Sequence, residues 1–516
     1  MGPRMDRPLA DRGRPSGMRL RKPSQKHGRG AGALTFDNRL TAAARLAFRS
    51  ALPLGLIAPR PTRQVAPHRR FLPVPEGGGR RLGGLFGLHP GEPATCRRAL
   101  IPFLGVWAHL TLMLAIMKVF RIEGRALFLL SSLAWGALPV HYLLAYRWKK
   151  PFFLAVSVTG LLGVFGVGAG LVVAGLAVGL IGVTRLPVAW GVRAALVAAV
   201  GVGLGMARAY TGAGGSAWSE VVWPVLGSMM MFRMIVYLYE IKHVSRPEPI
   251  VDTLGYFFLL PNYCFLHFPV VDYRTLNRSF CQAEIHATQR SGLRMIFNGL
   301  IHLLAYRLVY HNLLITPEQV HSPATLAGFV VANYLLYLQV SGQFHLACGM
   351  LHLFGYALPT THHHYLLASG FTDYWRRVNI YWKDFMVRVV FNPLAFRWKR
   401  RPRWQALGGA TLAVFVVTWA LHAYQSFWLR GVWGFSMTDA LFWGILGALV
   451  LVNVQLDARD GAPRPSRCPT RPSLAARLAR GSQIAATFTT LALLWSLWSS
   501  PDLDNWLSLF RRAFAG

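Results

Sequence analysis

Residues Thr411 to Leu429 read TLAVFVVTWALHAYQSFWL, a run without a formal charge that carries one imidazole, His422, flanked by Trp419, Tyr424, Gln425 and Trp428. A stretch of this length and polarity is what a helix needs to cross about 30 Å of hydrocarbon. Inside a bilayer the backbone finds no water, so such a run has to be helical. An ionisable group within it is costly and is expected to face a polar interior or a partner. Upstream lies Tyr374-Trp375-Arg376-Arg377-Val378-Asn379-Ile380-Tyr381-Trp382-Lys383-Asp384, a dense mixture of aromatic, cationic and amide groups between hydrophobic stretches.

The rest of the chain repeats the hydrophobic pattern. Of 516 residues, 53% are hydrophobic and only 15% charged, with a mean hydropathy of +0.35. A soluble chain of this length would carry far more charge. Apolar runs fall near residues 100–120, 126–146, 152–183, 187–206, 218–240, 293–315, 325–354, 404–429, 437–455 and 482–499. The pattern predicts an all-α, polytopic integral membrane protein of about ten or eleven transmembrane helices.

Two regions depart from simple spans. The 152–183 run exceeds one bilayer thickness and reads as two short spans or a hairpin. Its glycines, Gly166, Gly168, Gly170, Gly175 and Gly179, are spaced for close helix packing in lipid. A dinucleotide loop would instead need a strand before it and a helix after it. Residues 245–291 are broken by Pro261, Asn262, Pro269 and the polar run Asp272 to Arg290, and read as short or re-entrant helices plus a surface connection.

The net charge of +35 is concentrated in the N-terminal tail and in short connections. Arg397-Trp398-Lys399-Arg400-Arg401-Pro402-Arg403 carries five basic residues, and 456–480 carries six arginines with two aspartates, whereas 430–437 has only Arg430. The first two are therefore expected on the cytoplasmic side and the third outside. Both 118–125 and 147–150 are basic, which leaves the orientation of the N-terminal half open. Nucleic acid is not the expected partner, because no basic groove with interleaved aromatics belongs to a soluble fold. Residues 1–95, rich in Arg, Pro and Gly, read as a disordered or weakly amphipathic tail ahead of a transmembrane domain at 96–516. The tail lacks the apolar core of a secretory signal. The five cysteines are scattered and signal neither a disulfide framework nor a zinc site.

Four stretches, in order within 220–500, resemble the membrane-bound O-acyltransferase family, in particular its bacterial alginate O-acetyltransferase branch. The first is Met231-Phe232-Arg233-Met234-Ile235-Val236-Tyr237-Leu238-Tyr239-Glu240, similar to the family's Phe-Arg…Tyr-Leu…Asp helix. The second runs from Ser341-Gly342-Gln343-Phe344-His345 to Leu353-Phe354-Gly355 and is similar to a signature with two aspartates, whose places Gln339 and His345 take here. The third is Tyr374 to Ile380, followed by Trp382 and Asn392-Pro393-Leu394; the fourth is the His422 helix with Trp428 and Trp433-Gly434. Many bacterial relatives have histidine where this chain has Asn379, which is more like the sterol and diacylglycerol branches.

The resemblance implies an acyltransferase built around a central polar chamber in a bacterial inner membrane. Acetyl or another short chain would pass directly from an acyl-CoA or acyl-carrier thioester to a hydroxyl of an exported polysaccharide or glycan. No permanently bound cofactor and no metal is implied, while partner proteins of a polysaccharide-modification system are. The chemistry suits the residues. Imidazole is the side chain suited to take a hydroxyl proton near neutral pH. The Asn379 amide can position the acceptor or the developing oxyanion, and an apolar chamber excludes water. The expected catalytic pair is His422 and Asn379, with Trp375, Arg376, Trp382, Ser341 and Gln425 lining the chamber. No Gly-x-Ser-x-Gly elbow suggests a covalent route.

Other readings stand beside these. The acceptor could be a lipid or small hydrophobic alcohol, which Asn379 favours, or the chain could be a transporter or scaffold, for which paired broken helices in two repeats would be the sign. His422 could be a packing histidine and Asn379 a helix cap. Arg376, Arg377, Tyr381 and Trp382 fit interfacial anchors. Arg233 needs a partner, for which Glu240 is the candidate. Three adjacent imidazoles, His362 to His364, with His345 and His352 nearby, diverge too much for a metal site and suit a polar cavity or the membrane surface.

Overall fold

The computed structural model describes residues 94–96, 98–122, 124–211, 222–227, 232–242, 248–263, 271–459 and 473–515. The expected N-terminal tail lies almost wholly outside them, as do Met231, Cys264 and Cys468. Among the described residues every element is helical, apart from one isolated bridge between Phe280 and Tyr356.

Five apolar helices come first: α1 (Leu100–Phe120), α2 (Arg125–Leu143), α3 (Tyr146–Phe165), α4 (Val167–Thr184) and α5 (Trp190–Thr211). The overlong 152–183 run is thus divided between two helices. The break falls at Gly166, whose φ of 79° is a conformation L side chains rarely adopt. Short helices follow, α6 (Phe232–Ile241), α7 (Ile250–Phe257) and α8 (Tyr273–Ser279), and then the long α9 (Ile285–Leu308). Asp272 caps α8 by accepting from the Thr275 N–H at 2.8 Å. The expected span at 218–240 is described in two helical pieces, 222–227 and α6.

The second half opens with α10 (Pro323–Leu335), which has Ser322 as its cap and proline at its first position, and continues after a one-residue break into α11 (Tyr337–Leu353). Three short helices, α12 (Phe371–Arg377), α13 (Ile380–Met386) and α14 (Asn392–Arg397), separate these from the long α15 (Arg403–Arg430) and α16 (Met437–Arg459). Gly431, left-handed at φ 81°, ends α15. Last come α17 (Leu474–Trp498) and the amphipathic α18 (Leu503–Phe514).

Among the described residues eight helices are long and apolar enough to cross a membrane: α1 to α5, the joined α10–α11, α15 and α16. Large apolar side chains on them point outward, among them Ile101 (84% exposed), Val119, Met206 and Val416. That arrangement is unfavourable in water and costs nothing in lipid, and the chain reads as an integral membrane protein.

Close helix packing is found at one glycine of the predicted stripe and is tighter elsewhere. Gly175 and Gly179 face open space, and only Gly170 of the pair's neighbours backs onto a side chain, Leu162. The tight seam joins α9 to α11. A Cβ on Gly299 would lie 2.8 Å from the Gly342 carbonyl oxygen, and one on Gly292 would lie 2.8 Å from that of Gly349. Backbones meet there because no side chain intervenes.

The partner expected for Arg233 is also different. Its guanidinium bonds the Tyr256 carbonyl and lies over the Tyr256 ring. Glu240 turns instead to Arg388, at 2.8 Å.

Candidate active site

The α12–α13 hairpin is held at each end by polar contacts. Asn453 of α16 accepts from the Phe371 N–H at 2.7 Å, which satisfies a donor at the start of α12. Asp373 in that first turn pairs with Arg377 at 2.7 Å, which ties Arg377 within the hairpin. The turn between the helices rests on Asn379, at φ 40° and ψ 59°. Asparagine tolerates this left-handed conformation better than most residues. Its Oδ1 accepts from the Trp382 N–H at 3.4 Å, so it is a helix cap. The Nδ2 amide has no hydrogen-bond partner among the described residues and remains available as a donor.

The same turn is tied to the histidine loop. Ile380 N–H donates to Thr361 O at 2.8 Å and His363 N–H to Arg377 O at 3.0 Å. Tyr381 donates to Pro359 O at 2.6 Å and lies 3.2 Å from Cys348 Sγ. It is 3% exposed, so it anchors the turn internally and is not an interfacial aromatic.

Above the hairpin stands His422, half-buried on α15. Phe415, Thr418 and His422 recur at three- and four-residue spacing and therefore share one helix face. Gly447 of α16 gives Phe415 its room, and Trp375 packs on Phe415 with ring centroids 4.8 Å apart. Around the imidazole, Trp443 stacks at 4.8 Å and 27°, Trp382 sits at 5.9 Å, and Trp498 presents an edge at 6.4 Å. Trp382 donates Nε1–H to Thr418 at 3.4 Å, and Trp498 donates to Asp439 at 2.5 Å. The Trp443 Nε1–H is buried without a partner among the described residues.

Asn379, Trp382 and His422 thus come into one neighbourhood, linked through Trp382, with Trp375 of α12 packed on Phe415 of the same α15 face. Gln425 is half-buried on α15, one turn beyond His422, and Arg376 is exposed. Ser341 belongs elsewhere, to a buried cluster with His302, His345 and Tyr365. His362 to His364 lie in a loop, where His362 is buried and His364 is exposed and left-handed at φ 44°. Among the described residues no three His, Cys, Asp or Glu side chains assemble as metal ligands.

Two features were not legible as parts of a site. One is the tryptophan wall, since Trp443 and Trp498 lie on helices distant in sequence. The other is a charged joint beneath the hairpin, where Arg388, just after α13, contacts Glu240 at 2.8 Å and Asp272 at 3.5 Å. Burial, and then the Asp272 charge, push the Glu240 carboxyl up to about 7. Asp272, despite burial working against it, is held below the usual carboxylate value by Thr275 and Arg388.

At the arginine-rich end of α15 an open groove of about 860 Å³ is lined by Arg403, Trp404, Gly408, Leu412, Leu451 and Gln455. Gly408 and His422 are fourteen residues apart on nearly the same helix face, about 21 Å at 1.5 Å per residue. No protein-family model matches the chain, and no curated protein matches it.

Proposed function

We propose that the protein is a membrane-bound acyltransferase that moves a short acyl group from a thioester to a hydroxyl of an exported glycan. The observation that carries this reading is the meeting of His422 with the Asn379–Trp382 turn. Two of the family-like motifs converge there on a base and an amide donor. His422 would take the acceptor's hydroxyl proton, the oxygen would attack the thioester carbonyl, and the C–S bond would break. The thiolate would leave with the proton that His422 returns. The free Nδ2–H of Asn379 and the unpartnered Nε1–H of Trp443 are donors for the charge that gathers on the carbonyl oxygen.

The groove beside Arg403 suits the donor. Its basic rim, with Arg397, Lys399, Arg400 and Arg401 close in sequence, matches the phosphates of CoA or of a carrier's prosthetic arm. An acyl arm could follow the face of α15 from Gly408 to His422. On this reading α9 and α17 also cross the bilayer, giving ten spans among the described residues, and α12 to α14 are re-entrant. The Arg403 end faces the cytoplasm of a bacterial inner membrane. Acceptance by a lipid alcohol remains the second reading, favoured by Asn379 in place of histidine.

The test is chemical. In cells carrying His422→Ala, alkali-labile acyl esters on surface glycans and on lipids are measured against wild type. The acyltransferase reading expects one of these ester pools to fall to background. Unchanged esters in both pools would sink it.

A further inference from the structure

Ser341 organises a buried cluster that acyl transfer at His422 does not use. The glycine seam between α9 and α11 sets His302 and His345 side by side, with ring centroids 5.2 Å apart at 68°. His345 Nδ1 lies 2.6 Å from the Ser341 carbonyl oxygen. A carbonyl only accepts, so Nδ1 carries the proton and Nε2 keeps its lone pair. Ser341 Oγ donates its one proton to Leu338 O at 3.2 Å. With the Ser341 proton given to Leu338 O, His302 Nδ1, 2.9 Å from that Oγ, is the donor, and its Nε2 is a second lone pair. Both Nδ1 atoms point at Ser341, so both Nε2 atoms lie on the far edges of their rings. Neither Nε2 has a hydrogen-bond partner among the described residues.

The surroundings supply acceptors and aromatic faces. His362 stacks on His345 at 6.0 Å, but its nitrogens are occupied by Tyr337 OH at 3.0 Å and Thr361 Oγ1 at 3.2 Å. His302 is half-buried and His345 buried. No carboxylate takes part in these contacts, so a cation would find nothing to neutralise it. Two imidazole lone pairs without a protein donor can each accept an O–H.

We propose that His302 and His345 form a subsite for a polyhydroxylated group, the sugar of an acceptor glycan, with each Nε2 accepting one hydroxyl. Tyr337, Trp495 and Trp498 form a run of ring contacts, at 5.3 Å and 5.0 Å, that reaches His422. These packed rings connect the neighbourhood of the pair to that of the base. The subsite deepens the acyltransferase reading and rests on it for the identity of the bound group as acceptor, but not for the binding. It also selects among acceptors. A lipid with a single hydroxyl would leave one imidazole unmatched, and sites built to bond hydroxyls reject partners lacking them.

The experiment uses the full chain in nanodiscs. Octyl glucoside, below its micellar concentration, and 1-octanol share an alkyl chain and differ in the sugar. Binding of each is measured by saturation-transfer NMR, alongside transfer from labelled acetyl-CoA to added glycan. Wild type is expected to prefer octyl glucoside by at least about tenfold. His302→Asn and His345→Asn keep an N–H where Nδ1 stood and remove the distal lone pair. Each is expected to abolish the preference with thermal unfolding unchanged. Equal binding of the two probes by wild type would overturn the subsite, as would a preference that survives in both variants. Zn²⁺ alone binding through the pair, with octyl glucoside excluded, would overturn it too. An inactive wild type that still prefers octyl glucoside would sink the acyltransferase reading and leave the subsite standing.

Discussion

At His422 the neighbour of most consequence is Trp443, because it presents both a stacked ring and a buried N–H without a partner. Trp443→Phe keeps the ring and deletes the donor. If that N–H meets the developing oxyanion, kcat should fall roughly tenfold to a hundredfold with KM little changed. A pure packing role predicts a lower unfolding temperature and an unchanged kcat, which steady-state kinetics and a thermal melt would separate. His422 and Asn379 were legible in the sequence because each breaks a local rule, an imidazole in an apolar span and an amide between aromatic and cationic residues. Trp443 was not, since a tryptophan in an apolar helix looks like packing until a second helix brings it against something. Asn379 is a cap through Oδ1, and its use of Nδ2 as an oxyanion donor belongs to the proposal.

At the scale of elements, α9 and α11 are locked where glycine meets glycine. A side chain on Gly299 would press into the Gly342 carbonyl and Leu346, neither of which can yield without moving a helix. Gly299→Val should destabilise by roughly 1–3 kcal/mol, seen as a lower unfolding temperature, and should shift His302 away from Ser341. An unchanged melt would refute the seam. The sequence suggested glycine packing at 166–179, where Gly170 does meet Leu162, but gave no sign of the α9–α11 seam, because spacing alone does not show which face meets a neighbour. The hairpin has a separate restraint in Glu240, Asp272 and Arg388. A carboxyl whose value is raised in the folded state favours folding while it is protonated in the fold. Glu240 therefore stabilises fully below its unfolded value of about 4.3, and that contribution is lost as pH rises through about 7. Asp272 acts in the opposite sense, and only at more acid pH. The unfolding temperature of wild type should fall by a few degrees between pH 5 and 8 relative to Glu240→Gln, which should be flatter. Parallel profiles would contradict the assignment.

For the whole molecule, hydrophobic runs revealed the membrane class and most helix positions, because bilayer thickness imposes one length on every span. They were less informative about α9 and α17, which at 24 and 25 residues are long enough but too polar to qualify by composition. Two polar neighbourhoods stand out among the described residues. One neighbourhood is a tryptophan-walled imidazole at His422, and the other is the hydroxyl and imidazole cluster around Ser341. The turn that carries Asn379 is bonded to the loop that carries His362, so the two are mechanically joined. The most direct measurement of the central claim is transfer from labelled acetyl-CoA to a glycan fraction by the purified chain in nanodiscs, comparing wild type with His422→Ala. A base at His422 predicts a loss of about 10²- to 10⁴-fold in the variant, with folding and donor binding retained. Equal transfer by the two proteins would contradict the account.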